Sequence, residues 1–285
     1  MQKLKLAIQK SGRLSEKSVK LLSECNIKLT NGNRKLISLS GNFPIEVLYL
    51  RDDDIPQYVY DGVADIGIVG ENEFLEKRYE LDILQRLGFA KCRLSLAIPK
   101  SEKYDGIDYF NGKRIATSYP NILENFLSNK GIRSEIHEIS GSVEIAPGIG
   151  LADGIFDIVS SGSTLISNGL NEVERVMNSE AVIIGRDNLN PGKKEILDQL
   201  LFRIKAVQKA NNNKYILLNA PNNQLDKIIE ILPGMKSPTI MPLADKDWSS
   251  LHSVVEENRF WAVIDQLKAA GAQGILVLPI EKMVL

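Results

Sequence analysis

The sequence predicts an α/β fold followed by a smaller domain of ferredoxin-like topology. Short apolar runs such as Leu4–Ile8, Ile45–Leu50 and Phe156–Ser160 alternate with segments of helical spacing, the pattern of a mainly parallel sheet. After residue 210 the pattern changes to strands and helices in the order βαββαβ. The chain has 285 residues, which is enough for two or three domains.

Polar turns follow the predicted strands in the first part of the chain. Ser15 is suited to cap a helix after the first strand, and Asn31-Gly32 predicts a turn before a hairpin. Pro56 fits the first turn of the next helix. A further strand over 64–69 ends at Gly70. This order predicts a sheet whose carboxyl-terminal strand ends carry polar residues.

The same alternation continues through the middle of the chain. Residues 144–151 have helical spacing that is interrupted by Pro147 and two glycines. A helix over 194–209 then leads out of this part of the chain. Strands are predicted over 93–99, 112–117, 136–140, 156–160 and 181–184.

The boundary of the last domain is predicted at Ala210–Asn213. Apolar residues at helical spacing predict helices over 225–232 and 260–267, and Gly271 fits the position after the second helix. Strands are predicted over 214–219, 239–243, 248–255 and 275–279.

Composition excludes several classes of protein. There are 35 Lys and Arg residues against 36 Asp and Glu, so the chain lacks the excess positive charge of a general nucleic-acid binder. Its only cysteines, Cys25 and Cys92, fit a reducing compartment. No apolar run approaches the ~20 residues that cross a bilayer. We therefore expect a cytoplasmic protein with neither nucleic-acid nor membrane partners.

A cluster of small hydroxyl residues follows the apolar strand that ends at Ser160. Ser161, Gly162, Ser163 and Thr164 stand where a helix should begin, so backbone N–H groups and hydroxyls converge on one point. Such a turn suits a phosphate monoester, although such clusters also simply cap helices. The sequence leaves both interpretations open at this point.

Three carboxylates precede this cluster and favour a sugar phosphate. Asp157 lies inside an apolar strand, where an ionised group is costly without a partner. Glu144 and Asp153 lie upstream. Carboxylates beside a phosphate site are explained if they bind sugar hydroxyls or a magnesium ion. The alternatives are a solvated helix residue for Asp153 and a structural salt bridge for Asp157.

Polar residues also follow the strands of the first part of the chain. Open α/β sheets bind ligands at the carboxyl ends of their strands, and converging cations there would suit a polyphosphate. Each residue could instead be an ordinary solvated side chain. The candidates are Lys10, Gly12, Arg13, Arg51, Glu71, Asn72, Arg93 and Tyr119.

The segment from Glu144 to Leu165, EIAPGIGLADGIFDIVSSGSTL, resembles the signature of the ATP phosphoribosyltransferase family without departure. The resemblance extends along the chain, and residues 210–285 resemble the regulatory domain of the long form of this family. Supporting segments are Gln9–Leu14, Arg51–Pro56, Asp65–Glu71, Gly112–Pro120 and Leu278–Met283.

The resemblance implies a catalytic part like type II periplasmic binding proteins, with two lobes between which the chain crosses twice. It implies lobe I over 1–91 with 185–209, lobe II over 92–184 and a regulatory domain over 210–285. The implied substrates are ATP and phosphoribosyl pyrophosphate, and the implied cofactor is Mg²⁺. Inhibition by L-histidine, and homodimers that form homohexamers, are also implied.

The resemblance also distributes roles over the candidate residues. It implies that Arg13, Asp153 and Asp157 are catalytic. Phosphoribosyl pyrophosphate would bind Glu144, Asp153, Asp157, Ser161, Gly162, Ser163 and Thr164. ATP would bind Lys10, Gly12, Arg13, Arg51, Glu71, Asn72 and Tyr119. The histidine effector would contact Asn219, Thr239, Val254 and Ala272, for which ordinary interface packing is the alternative.

Two other functions fit part of the sequence. A non-catalytic sensor with a bilobed binding domain and an amino-acid-binding module matches the composition and topology. It has no need, however, for the acid and hydroxyl residues of 144–165. A different phosphoribosyl-transferring enzyme is the other alternative.

Overall fold

The computed structural model describes residues 2–30, 36–186, 188–232, 234–235 and 237–284. The predicted turn at Asn31-Gly32 lies outside these residues. The chain divides into two compact units, Met1–Ser23 with Ile27–Leu197, and Glu24–Asn26 with Asp198–Leu285.

The secondary structure alternates as the sequence predicts. The strands are β1 (Leu4–Gln9), β2 (Ile37–Leu39), β3 (Ile45–Leu50), β4 (Ile66–Gly70), β5 (Asp82–Arg86), β6 (Cys92–Pro99), β7 (Arg114–Thr117), β8 (Glu135–Glu138), β9 (Gly154–Val159), β10 (Leu170–Ser179), β11 (Ala181–Gly185), β12 (Asn213–Pro221), β13 (Thr239–Pro242), β14 (Trp248–Glu256) and β15 (Gln273–Pro279). The helices are α1 (Arg13–Glu24), α2 (Ile55–Tyr60), α3 (Glu71–Lys77), α4 (Pro120–Lys130), α5 (Ser163–Ser167), α6 (Pro191–Asn211), α7 (Leu225–Ile231) and α8 (Glu257–Ala269).

The first sheet has the strand order β2-β3-β1-β4-β11-β5. Strands β3, β1 and β4 are parallel, so their carboxyl ends meet at one edge. The apolar run of β4 is buried because helices cover the sheet, and α2 lies close to it. A Cβ on Gly67 would come within 2.5 Å of the Cγ2 atom of Ile55. Only glycine permits this close approach.

The second sheet has the strand order β10-β6-β9-β7-β8. Strands β7, β8 and β9 are parallel, whereas β6 runs antiparallel to β9. The end of β9 therefore lies beside the beginning of β6. Residues 144–151 form a 3₁₀ turn at Val143–Ile145 and further turns, not the predicted interrupted helix. Pro147 and the positive φ of Gly150 oppose a regular helix there.

Two crossings of the chain link these sheets. The first runs from β5 to β6 and the second from β10 to β11. Strand β11 pairs with β4 and β5, so it belongs to the first sheet. The chain thus returns at residue 180, before the predicted limit of lobe II at residue 184. The apolar strand Ala181–Gly185 is completely buried between its two neighbours in the first sheet.

The second unit contains a four-stranded antiparallel sheet with the order β13-β14-β12-β15. With α7 and α8 it forms the predicted βαββαβ unit. Its apolar core lies between the helices and one face of the sheet and includes Ile216, Leu218, Leu251, Phe260 and Leu267. The predicted fold class, a periplasmic-binding-protein-like α/β part with a ferredoxin-like domain, is confirmed.

Among the described residues, no helix combines the length and the apolar character that a membrane span requires.

Candidate active site

The loop between β9 and α5 follows the carboxyl end of β9 and exposes its hydroxyl side chains. The side chains of Ser161, Ser163 and Thr164 are exposed, and the Oγ atoms of the two serines lie 3.0 Å apart. Gly162 has a φ of 83°, a left-handed conformation that side chains rarely adopt. The glycine therefore sets the path of the backbone into α5.

Several backbone donors of this loop have no protein acceptor. Within the described part of the chain, the N–H groups of Ser161, Gly162 and Thr164 donate to no residue. The N–H of Ser163 makes only a long contact of 3.4 Å with the Oγ atom of Ser161. Successive free N–H groups in a turn form an anion-binding concavity. The loop thus presents backbone donors that are available to an anion.

Asp157 carries a largely buried carboxylate in β9, two residues before the end of the strand. Burial raises its pKa from 3.8 to about 6, and the negative charge of Glu144 contributes to the rise. A hydrogen bond from the Ile158 backbone opposes the shift. No side chain among the described residues donates to this carboxylate. Glu144 therefore lies near enough to Asp157 for the two charges to interact.

The structure does not bring Asp153 to the loop. Asp153 precedes β9, whereas the loop follows it, and the six residues of the strand separate them by about 20 Å. Its carboxylate accepts hydrogen bonds from the backbone and guanidinium of Arg114, with an ion-pair distance of 3.1 Å. This pairing lowers the pKa of Asp153. The predicted shared site of Asp153 and Ser161–Thr164 is therefore corrected: Asp153 pairs with Arg114 at the opposite edge.

The predicted cations of the first sheet do lie at a common edge. The Lys10 N–H donates to the Leu50 carbonyl at 2.7 Å, which joins the ends of β1 and β3. Arg13 begins α1 and is exposed, as is Lys10. Gly12, with a φ of 92°, makes the turn between them. Arg51 is 78% exposed, 3.3 Å from Asp53.

Glu71 and Asn72 follow β4 but have protein partners. Glu71 accepts two hydrogen bonds from Arg86 and is only 11% exposed, so its charge is already compensated. Asn72 exchanges hydrogen bonds with Ser179 and donates to the hydroxyl of Tyr119. Both side chains therefore already have partners within the protein, which does not test their predicted contacts with ATP.

Tyr119 connects the two lobes. It follows β7 of the second sheet and donates its hydroxyl hydrogen to Glu73 on α3 at 2.7 Å. Burial and the nearby Glu73 carboxylate raise the pKa of Tyr119, so the hydroxyl stays protonated. Burial is also the main cause of the raised pKa of Glu73. Tyr119 is 6% exposed and holds the lobes together at this point.

Two protein-family models match the chain. The family described as "HisG: ATP phosphoribosyltransferase" matches residues 51–206, and "HisG, C-terminal domain" matches residues 210–282. The chain belongs to the ATP phosphoribosyltransferase family. Members of this family catalyse the first step of histidine biosynthesis, and the chain is accordingly a phosphoribosyl-transferring enzyme.

Relatives match almost the full chain. The ATP phosphoribosyltransferase of Phocaeicola vulgatus is 62% identical over 282 residues, covering 99% of this chain and 100% of its own length. That of Cytophaga hutchinsonii is 61% identical over 281 residues, with coverages of 99% and 98%. An ATP phosphoribosyl transferase (HisG:HisZ) complex from Thermotoga maritima contains a chain with 32% identity and a TM-score of 0.61. The match covers 71% of this chain and 98% of that chain.

Glu76 of α3 and Arg78, the residue that follows α3, make further contacts between the two lobes of this ATP phosphoribosyltransferase, and the sequence did not indicate these contacts. The Glu76 carboxylate accepts hydrogen bonds from the backbone of Asn121 at 2.8 Å and Ile122 at 3.0 Å, so it caps α4 from the other lobe. Arg78 donates to the Asn121 carbonyl and to Glu124. The sequence offers a signal in the acidic residues Glu71, Glu73 and Glu76, but this pattern does not show which residues of the other lobe they contact.

The predicted effector residues occupy two sides of the C-terminal sheet. Asn219 and Val254 lie on the face opposite the apolar core, as the alternation with buried Leu218 and Val255 shows. Thr239 pairs with His252 on the same face. Ala272, in contrast, is 6% exposed and packs in the core beneath the helices. The methyl group of Ala272 therefore does not reach the face that carries the other three residues.

Proposed function

We propose that the Ser161–Thr164 loop binds the 5-phosphate of phosphoribosyl pyrophosphate and that Asp157 and Glu144 accept hydrogen bonds from its ribose. Two observations on the described residues support this proposal: the loop has backbone N–H groups without an acceptor there, and the largely buried Asp157 carboxylate, four residues before Ser161, has no side-chain donor there. Hydroxyls are suitable donors to a carboxylate, and the loop supplies donors to the phosphate. Asp153 has a structural role in this proposal.

The ATP phosphates bind at the ends of β1 and β3, where Lys10, Arg13 and Arg51 supply positive charge. Gly12 shapes the turn between two of these cations. Tyr119 and Asn72 hold the two lobes in position and do not contact the nucleotide. The Asn72 side-chain amide already donates to the Tyr119 hydroxyl, and that hydroxyl donates to Glu73. Glu71 has the same indirect role through Arg86.

In the reaction, the lone pair of adenine N1 forms a bond to C1 of the ribose. The bond from C1 to the pyrophosphate oxygen breaks, and its electron pair leaves with pyrophosphate. N1 carries a lone pair already, so no strong general base is required. Catalysis consists of positioning the two substrates and stabilising charge. Asp157 orients the ribose through its hydroxyls. Arg13, in the other lobe, offsets the negative charge of the ATP phosphates.

Pyrophosphate release tests the function against its alternatives. With phosphoribosyl pyrophosphate and Mg²⁺ present, we expect release with ATP and none with other nucleobase acceptors. Release that is faster with another acceptor would indicate a different phosphoribosyl-transferring enzyme. Binding of a small molecule without release under any of these conditions would indicate a sensor.

We expect Mg²⁺ to bind with the pyrophosphate group. The described residues contain no group of three or more His, Cys, Asp or Glu side chains that could hold a metal ion. Magnesium usually combines one or two carboxylates with substrate phosphates, and Asp157 and Glu144 are the two candidates here.

We expect the free enzyme to bind Mg²⁺ only weakly. Calorimetric titration with MgCl₂ alone should give a dissociation constant in the millimolar range, because too few protein oxygens converge. The same titration with phosphoribosyl pyrophosphate present should show at least ~10-fold tighter binding of the ion. Micromolar binding of Mg²⁺ to the free enzyme would contradict this assignment.

We assign inhibition by L-histidine to the open face of the C-terminal sheet, where Asn219, Thr239 and Val254 lie. Replacing Asn219 with alanine should raise the half-inhibitory histidine concentration at least ~10-fold, because an amide contact to a charged ligand is lost. The turnover without histidine should stay unchanged. Lys227→Ala, on the exposed side of α7, is the control. An unchanged inhibition curve for Asn219→Ala would contradict this site.

We propose homodimers that associate into homohexamers, and a cytoplasmic location supported by the two free cysteines. We propose lobe I over 1–91 with 181–209, lobe II over 92–180 and the regulatory domain over 210–285, because β11 already pairs within the first sheet. Sedimentation velocity with and without histidine measures the assembly.

A further inference from the structure

Arg93 lies next to the start of the loop that follows β9. Arg93 is the second residue of β6. It pairs with Val159 at the end of β9, because the two strands are antiparallel. One terminal nitrogen of its guanidinium donates to the Ser160 carbonyl at 3.0 Å. The side chain is 22% exposed, so most of it is packed against the protein. Arg93 therefore contacts the first peptide of the Ser161–Thr164 loop.

Glu172 fixes the other side of the same guanidinium. Its two carboxylate oxygens accept hydrogen bonds from Nε and from the second terminal nitrogen of Arg93. The hydroxyl of Ser95, which is 1% exposed, donates to Glu172 at 2.7 Å. A bidentate pair of this kind sets both the position and the plane of the arginine. The charge of Arg93 is compensated, so it is not a free cation for a ligand.

The contact with Ser160 determines where the next amide points. The C=O and N–H of one trans peptide point in opposite directions, and the described chain contains no cis peptide bond. A Ser160 carbonyl held by Arg93 therefore turns the Ser161 N–H away from Arg93. That N–H is one of the loop donors without an acceptor in the described part of the chain.

We infer that Arg93, held by Glu172, is a positioning residue that orients the phosphoribosyl-binding loop. This inference rests on the proposed function of Ser161–Thr164 and names the residues that fix the loop before the substrate arrives. Arg93 does not contact the substrate; it acts through the Ser160 peptide. Preorganised donors lower the free-energy cost of binding because they need no reordering.

The test measures the dissociation constant of phosphoribosyl pyrophosphate by calorimetry in the absence of ATP. Arg93→Ala should raise this constant at least ~10-fold, whereas the KM for ATP should change less than twofold. Arg93→Lys keeps the charge but cannot make the bidentate pair and the Ser160 contact together, so it should also raise the constant at least ~5-fold. Lys103→Gln, from an exposed ion pair in the same lobe, should change neither value.

Hydrogen exchange gives a second measurement that does not depend on substrate. Peptides that cover 158–167 should exchange faster in Arg93→Lys, while the rest of the lobe keeps its wild-type rates. Wild-type affinity in Arg93→Lys would mean that Arg93 acts by charge alone, and would overturn the inference. Equal losses of affinity for both substrates would indicate a general structural role and would also overturn it.

Gly162→Val separates this inference from the proposed function. If Gly162→Val weakens binding of phosphoribosyl pyrophosphate but Arg93→Ala does not, only the role of Arg93 is wrong. If Gly162→Val leaves the affinity unchanged, the loop is not the binding site and both conclusions are wrong.

Discussion

Replacement of Asp157 with asparagine is expected to stabilise the free protein while it impairs catalysis. Asparagine preserves the size of the side chain but has no charge to bury. The loss of one or two charge-assisted hydrogen bonds to the ribose, each worth about 1.5–3 kcal/mol, should lower kcat/KM for phosphoribosyl pyrophosphate about 100-fold. A stabilising substitution with this catalytic defect is characteristic of a functional residue kept in an unfavourable environment.

The direction of the stability change follows from the raised pKa. Burial raises the pKa of Asp157 from 3.8 to about 6 in the folded protein, so the protonated form is favoured there. As the pH rises from about 4 to above 6, the native carboxyl must ionise against this preference and stability is lost. One pKa unit corresponds to about 1.4 kcal/mol, so the full difference is about 3 kcal/mol near pH 7.

Thermal unfolding at several pH values measures this effect. At pH 7.5 the Tm of Asp157→Asn should exceed the wild-type Tm by roughly 5 °C, and the difference should fall to about a third of that at pH 4.5. Asp105→Asn serves as the control, because Asp105 is an exposed residue of the same lobe whose side chain is 71% accessible. A lower Tm for Asp157→Asn at pH 7.5 would mean that the carboxylate has a stabilising partner.

Replacement of Gly162 with valine is expected to weaken binding of phosphoribosyl pyrophosphate at least ~30-fold. Gly162 has a φ of 83°, where a β-branched residue is strongly disfavoured. Valine would force the backbone toward another conformation and turn the amides of the loop away from the phosphate. Affinity for ATP, which we assign to the other lobe, should stay within twofold of wild type.

Gly112 provides a matched control for the same strain. It has a φ of 73° with no atom within 4 Å of the Cβ position, and it precedes β7 at the far edge of the same sheet. Gly112→Val should lower the Tm by a similar amount without weakening the binding of phosphoribosyl pyrophosphate. Equal loss of affinity for both substrates in Gly162→Val would reject the assignment of the loop.

The sequence predicted the elements whose signals are local. The strand predicted over 156–160 forms at 154–159, and the turn at Ser161–Thr164 and the βαββαβ order of the last domain are also found, because all three depend on neighbouring residues. The resemblance implied that Asp153 and Asp157 share one site. Their separation depends on strand direction: Asp153 precedes β9 and meets Arg114, whereas Asp157 lies near its other end.

The contacts that sequence reasoning missed join residues that are distant in the chain. Arg93 and Glu172 are 79 positions apart, and Glu76 and Asn121 are 45 positions apart. No local pattern specifies such partners, because they depend on which strands and helices become neighbours. Strand β10 was also missed, since charged residues alternate irregularly along it and two bulges interrupt its pairing.

The most direct measurement is a crystal structure of the enzyme with phosphoribosyl pyrophosphate and Mg²⁺. We expect the 5-phosphate to lie about 2.7–3.2 Å from the backbone nitrogens of the Ser161–Thr164 loop, with a ribose hydroxyl donating to Asp157. A substrate bound elsewhere, with this loop empty and its hydroxyls bonded only to neighbouring backbone, would contradict the proposed site.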